Sequence, residues 1–148
     1  MTQKILEKNV QRIGIYGFIL DNENRVLLLK RAAHDSNPNL WELPGGGLDH
    51  GENPEEGVAR EVWEEANLSV QALYPLAIKS KLSDRDPHKH TIRIAYFCRL
   101  LEPKSSVTLS NEHSDFSWVN PSGDLPSPVS GLVKICLQAI TSNPELIP

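Results

Sequence analysis

Glu61, Glu64 and Glu65 fall within five consecutive residues, and Glu52 stands just upstream of them. Carboxylates offer oxygen donors only. Gathered at one place, they can hold a hard divalent cation or move a proton. A glycine-rich run, Pro44-Gly45-Gly46-Gly47, comes directly before them, and a backbone without side chains can approach a ligand closely. A solvated acidic face is the alternative that needs no function, and the direction in which the side chains point separates the two.

That direction follows from the helix that carries them. Asn53 is placed to cap a helix, Pro54 to open it and Glu56 to complete a capping box. Asn67 stands where the helix should stop, and Asn tolerates the left-handed conformation well. On a wheel of about 100° per residue, Glu61, Glu64 and Glu65 share an arc of about 100°. Ala59, Val62, Trp63 and Ala66 fill the adjoining arc, so the expected helix 54–66 buries Val62 and Trp63 and presents three carboxylates together. Like charges so spaced weaken a helix by a few tenths of a kcal/mol per pair. The only base on this helix is Arg60, so Mg²⁺ or Mn²⁺ is the better physical partner.

The rest of the chain supplies elements to position that helix. The 12–21 stretch is β-branched and aromatic, and the apolar run 25–32 suits a strand buried on both faces; a turn at Asp21–Asn24 suggests that they form a hairpin. Trp41 to Leu43 reads as a short strand. Residues 68–82 and 90–101 read as long strands and 115–120 as a last one. A second helix is expected with Ser127 as cap and Pro128 as first residue, its apolar stripe formed by Val129, Leu132, Val133, Cys136, Leu137 and Ile140. The order strands, helix, strands, helix predicts an α/β fold with a mixed sheet between helices.

Composition narrows the function classes. The 148 residues suit a single domain, 1–148. They are 39% hydrophobic and 23% charged with a net charge of -4, which argues against nonspecific nucleic-acid binding. No apolar run suits a signal core or a membrane span, and Cys98 and Cys136 lack metal-type spacing, so a cytoplasmic protein with reduced core thiols is expected.

The residues also carry a resemblance. Gly46, Glu52, the run Arg60-Glu61-Val62-Trp63-Glu64-Glu65 and then Asn67-Leu68 resemble the Nudix box, matching every fixed position except its final glycine, here Asn67. Trp41 before the glycines and the Asn111–Val119 stretch resemble the family's layout as well. The resemblance implies an α/β/α sandwich and metal-dependent attack of water on phosphorus in a nucleoside diphosphate linked to another group. Glu61, Glu64 and Glu65 would then be metal ligands, completed by the carbonyl of Gly45 or Gly46. Arg60 would orient the carboxylates, and Glu52 would support the site or its loop. Glu61 or Glu112 would be the general base, and Arg31, with Lys30 beside it, would contact substrate phosphate. His88, His90 and His113 are expected at the surface.

For the substrate, a small-molecule nucleotide is expected, with the protein a monomer or homodimer. The proline that would mark an ADP-ribose hydrolase is replaced by Ser83 and Asp84, and the motif of coenzyme A pyrophosphatases is absent. That leaves a nucleoside or deoxynucleoside triphosphate as the default. An ADP-ribose or nucleotide-sugar pyrophosphatase and a non-hydrolytic nucleotide-binding regulator are the alternatives. An isopentenyl diphosphate isomerase-like reaction would need a catalytic cysteine.

Overall fold

A computed structural model describes residues 8–148. Strand β1 (Val10–Ile19) is the centre of a four-stranded sheet with the order β4-β1-β6-β5. It pairs antiparallel with β4 (Gly45–Gly47) and parallel with β6 (Lys89–Leu100), which pairs antiparallel with β5 (Val70–Leu82). The mixed sheet is therefore present. A second, antiparallel sheet joins β3 (Trp41–Glu42), β2 (Val26–Arg31) and β7 (His113–Val119) in the order β3-β2-β7. The expected hairpin of β1 and β2 is a connection between sheets instead. Only the bridge Leu20–Val26 links them, because β2 takes its partners from β3 and β7.

Two helices cover opposite faces: α1 (Pro54–Ala66) and α2 (Gly131–Ser142). Period-two alternation divides the strand residues between two cores. Ile15, Ile19, Leu27, Leu29, Tyr96 and Cys98 pack with Val58, Val62 and Ala66 of α1. Phe18, Val26, Leu28, Ala95 and Phe97 pack with Leu132, Val133, Cys136 and Ile140 of α2. Alternate residues of β2 thus serve both helices, which explains its unbroken apolar run. Both cysteines are free and buried, and burial pushes both thiols up to about 12.

The ends of α1 match the sequence. The Asn53 side chain accepts the Glu55 backbone N–H at 3.0 Å, and Asn67 closes the helix in the left-handed conformation at φ 58°. The buried face differs. It runs through Gly57, Val58, Val62, Glu65 and Ala66, and Trp63 is 55% exposed. The apolar arc is rotated towards the carboxylates, and Glu65 lies inside it at 5% exposure. Glu64 stays exposed, so the three carboxylates divide between wall and rim.

The start of α2 is also corrected. Ser130, not Ser127, is the cap, and its hydroxyl accepts the Val133 N–H at 3.2 Å. Pro128 and Val129 precede the helix, where the Pro128 carbonyl accepts the Trp41 N–H and Val129 bridges Trp41. Ser130 also donates to the buried Glu42 carboxylate at 2.7 Å, which ties β3 to α2. No helix among the described residues is long and apolar enough to cross a membrane.

The rotated face makes opposite demands of two neighbouring residues. Val62→Ala should cost about 2 kcal/mol through the cavity it leaves, while Trp63→Gln should stay within about 0.5 kcal/mol of the parent. Urea denaturation of the two variants checks this, and a larger loss for Trp63→Gln would contradict the burial pattern.

Candidate functional site

The Glu65 carboxylate points from α1 to the glycine run, where its Oε2 accepts the Gly45 N–H at 2.9 Å. The closeness depends on glycine. A Cβ on Gly45 would stand 2.3 Å from the Ile15 carbonyl oxygen, and one on Gly46 would stand 2.8 Å from Glu61 Oε2. Strand β4 is thereby pressed between β1 and the helix. A cleft of about 340 Å³ opens here, and Gly45, Gly46, Gly47, Glu61, Glu65 and Glu112 contribute to its walls.

Glu112 reaches this cleft because its loop is pinned to the end of α1. The Thr108 N–H donates to the Ala66 carbonyl at 3.0 Å and the Ser110 N–H to the Glu65 carbonyl at 3.2 Å. On its other side the Glu112 carbonyl accepts the Ala32 N–H at 3.0 Å. These bonds satisfy helix-end carbonyls that would otherwise lack partners. Glu65, Glu112 and His113 each offer a ligand atom, all within 4.8 Å of one another.

His113 is half-buried, unlike the expected surface residue, and its Nδ1 is buried without a hydrogen bond. Burial and the Arg31 charge push its imidazolium down to about 4, so it is neutral at pH 7. Its place as the first residue of β7, rather than in the preceding loop, turns it inward. Period-two placement after the loop was the only sequence signal available. His88 and His90 lie elsewhere, around the 83–88 turn.

Burial pushes the Glu65 carboxyl up to about 8, against the lowering effect of the Gly45 N–H, and the charges of Glu61 and Glu112 push in the same direction as burial. Burial also raises Glu61, and the neighbouring Arg60 offsets part of that. Among the described residues, no cationic side chain forms an ion pair with Glu65. The donor set is hard oxygen with one neutral imidazole, and its buried carboxyl lacks an ion-pair partner among the described residues. A divalent cation fits both properties.

Arg60 lies outside the cleft wall and holds its rim. Its Nε donates to Glu52 Oε2 at 2.7 Å and its Nη2 to Glu52 Oε1 at 2.9 Å, a two-pronged grip. Nη1 reaches Glu61 at 3.1 Å and Glu64 at 3.2 Å, and Nη2 reaches the Gly47 carbonyl at 3.2 Å. Those bonds hold the Glu52 carboxyl down to about 2 and raise Arg60. Glu52 also accepts the Asp49 N–H at 3.1 Å, so the pair fixes the turn that leads into α1. Glu64 is exposed and bound to Arg60, apart from the Glu65–Glu112–His113 group. Arg31 lines the cleft, and Asp35 holds its guanidinium by bonds of 2.8 and 3.1 Å.

A NUDIX domain model matches residues 10–124, a span that contains the whole cleft. The chain belongs to the NUDIX domain family. Members of that family hydrolyse pyrophosphate bonds, and they generally use divalent metals. The chain is 28% identical over 120 residues to a MutT-like protein of Streptomyces ambofaciens, covering 80% of this chain and 70% of that protein. It is 32% identical over 108 residues to the nucleoside triphosphatase NudI of Enterobacter sp. strain 638, covering 68% and 77%. Other relatives are longer: the chain spans 45% of an ADP-ribose pyrophosphatase and 34% of an RNA pyrophosphohydrolase. Among solved structures, the MutT protein of Methanosarcina mazei Go1 superposes with a TM-score of 0.75 at 28% identity, covering 94% of this chain and 99% of that one.

The raised Glu65 carboxyl gives a signed pH dependence. Between the usual 4.5 and about 8, the folded protein holds a proton that the unfolded chain releases. This contribution to stability is complete below pH 4.5, declines across the window and is gone above pH 8. In metal-free buffer, Glu65→Gln should therefore gain Tm relative to the parent as pH rises from 5 to 8, by about 3 °C per kcal/mol recovered. Parallel Tm curves for the two proteins would contradict it.

Proposed function

We propose that the protein is a nucleoside triphosphate pyrophosphohydrolase that uses Mg²⁺ or Mn²⁺, with residues 1–148 acting as one catalytic domain. The observation that carries this reading is the Glu65 carboxylate, buried beside Glu61, Glu112 and the glycine run without a cationic partner among the described residues. The bound cation would neutralise diphosphate charge and lower the pKa of a water molecule.

Glu61 and Glu65 would hold that cation from the wall, with Glu64 at the rim and the carbonyl of Gly45 or Gly46 as a further ligand. Arg60 fixes Glu61 and Glu64, and Glu52 fixes Arg60. Glu112, exposed on the cleft wall, would accept the proton of the attacking water. The water oxygen forms a bond to phosphorus as the bridging P–O bond breaks, and pyrophosphate and a nucleoside monophosphate leave. Arg31, already oriented by Asp35, meets the phosphate chain at the open side of the cleft.

The triphosphate is preferred over ADP-ribose because the matches named MutT-like and nucleoside triphosphatase cover most of both chains. A binding regulator is disfavoured because every carboxylate of the box is retained. A catalytic thiol is disfavoured as well, since both cysteines sit in the cores.

The test is a panel of nucleoside triphosphates, ADP-ribose and nucleotide sugars with Mg²⁺ or Mn²⁺, with products separated and the reaction run in ¹⁸O-water. Label in one phosphorus product, with pyrophosphate released from triphosphates, is expected. Glu65→Gln should lower turnover by orders of magnitude while the fold persists. The two candidate bases separate by comparing kcat with Mn²⁺ affinity. Glu112→Gln should lose about 10²–10⁴-fold in kcat with nearly intact affinity, as for removal of a general base. Glu61→Gln should lose both. Full kcat in Glu112→Gln would move the role to Glu61.

A further inference from the structure

Next to the carboxylate cleft lies a second cavity of about 390 Å³, which shares Arg12, Tyr16, Arg31 and Thr91 with it. Strand β1, the facing ends of β5 and β6, the 83–88 turn and the 36–40 loop form its walls. Among the described residues its charge is one-sided: Arg12, Arg31, Lys81, Arg85, Lys89 and Arg93 line it, against the carboxylates of Glu42 and Asp84. In a chain of net charge -4 this concentration is not an average of the surface.

Few of these cations are already neutralised. Asp35 holds Arg31, and Arg93 stands 3.5 Å from Glu42 with its buried Nε unpartnered. Arg85 reaches over the opening to the Ser36 carbonyl at 3.4 Å. Arg12, Lys81 and Lys89 are exposed, and among the described residues no carboxylate pairs with them. Mutual repulsion around a concave wall weakens when an anion enters, and low-dielectric walls concentrate the field there. Among the described residues the only aromatic ring in the lining is that of Tyr16, so there is little flat apolar surface on which a nucleobase could stack. Phosphate oxygens match this lining better than a base does.

We propose that this cavity is a second anion subsite, and that the substrate is a small diphosphate compound carrying at least one further phosphate group remote from the scissile bond. The proposal rests on the hydrolytic reading of the neighbouring cleft and names its substrate class. The size of the cavity suits a small-molecule group.

The first arm of the test needs no turnover. Inorganic tripolyphosphate is titrated calorimetrically into the protein in EDTA, where the metal-free carboxylate cleft repels it. Binding that weakens with salt is expected, with affinity at least tenfold lower in Lys81→Glu/Lys89→Glu, about the worth of one charge-assisted bond. Lys81→Gln/Lys89→Gln should fall between, with a circular dichroism spectrum that matches the parent's. The second arm compares kcat/KM for guanosine 5′-triphosphate with and without a 3′-diphosphate, and for a 5′-triphosphorylated RNA oligonucleotide. The 3′-phosphorylated nucleotide should be favoured about tenfold, and the ratio should collapse towards one in the charge-reversed pair. Tripolyphosphate binding lost on charge reversal, in a protein that hydrolyses no nucleotide, would uphold the subsite and remove only the hydrolytic reading. Turnover of the plain triphosphate with a ratio near one, and tripolyphosphate binding indifferent to Lys81 and Lys89, would overturn the proposal. A tenfold preference for the RNA over both nucleotides would overturn its small-molecule class.

Discussion

The rest of the site depends on a carboxylate set into an apolar helix face. Glu65 occupies the arc of α1 that Val58, Val62 and Ala66 bury against the sheet, and a carboxylate there is costly unless hydrogen bonds and a cation compensate. The Gly45 N–H supplies the hydrogen bond, and supplying it dictates the shape of the surroundings. Strand β4 has to pair tightly with β1 and run without side chains where it passes Ile15 and Glu61. The end of α1 has to turn at Asn67 so that the following chain can enter β5. The 108–112 loop then returns to cover the last helix carbonyls, and Glu112 arrives beside Glu65 as a consequence. Three segments far apart in sequence converge around this one buried carboxyl.

Arg60 solves a different part of the same electrostatic problem. Four carboxylates, Asp49, Glu52, Glu61 and Glu64, surround one guanidinium, and Glu52 has its best geometry. The planar fork of arginine suits this, since parallel donors can grip one carboxylate and leave others for its neighbours. Exposed pairs of this kind contribute little to stability by themselves. Their effect is positional: Glu61 and Glu64 are held at set distances, while Glu65 lies beyond the reach of Arg60. A cation bound at the inner wall would meet Glu65 as the carboxyl without an ion-pair partner among the described residues.

What was legible in the sequence were features with one dominant cause. Asn53, Pro54 and Asn67 marked the limits of α1 because backbone hydrogen bonding at helix ends leaves few options. The run Val26–Leu29 announced a strand buried on both faces, and its alternate residues do serve two cores. The buried arc of α1 differs from the expected one because Trp63 has the chemistry of a core residue and Glu65 does not. Hydrophobicity alone rotates the face away from the carboxylates, and only the Gly45 bond explains the real orientation. Ser127 precedes Pro128 and the apolar stripe, yet the helix is capped by Ser130, whose hydroxyl is taken by Glu42, a carboxylate far away in sequence. The division into two sheets and the inward turn of His113 likewise depend on long-range pairing, which no local pattern encodes.

Arg12 and Arg31 line both adjoining cavities; beyond those two, Glu61, Glu65 and Glu112 line one, and Lys81, Arg85, Lys89 and Arg93 outnumber the carboxylates of the other. Asp35 fixes Arg31 there, and the same short loop presents the Ser36 carbonyl to Arg85 from the far side. The loop therefore links the acidic cleft to the basic cavity through two arginines. A polyanion lying across both would place its metal-compensated phosphates against Glu61 and Glu65 and its remaining charge among Arg12, Lys81 and Lys89. The separation matters physically, because carboxylates and cations mixed in one wall would neutralise each other and leave neither a cation site nor an anion site. Keeping most of them apart lets a chain of net charge -4 offer fields of both signs in adjoining cavities.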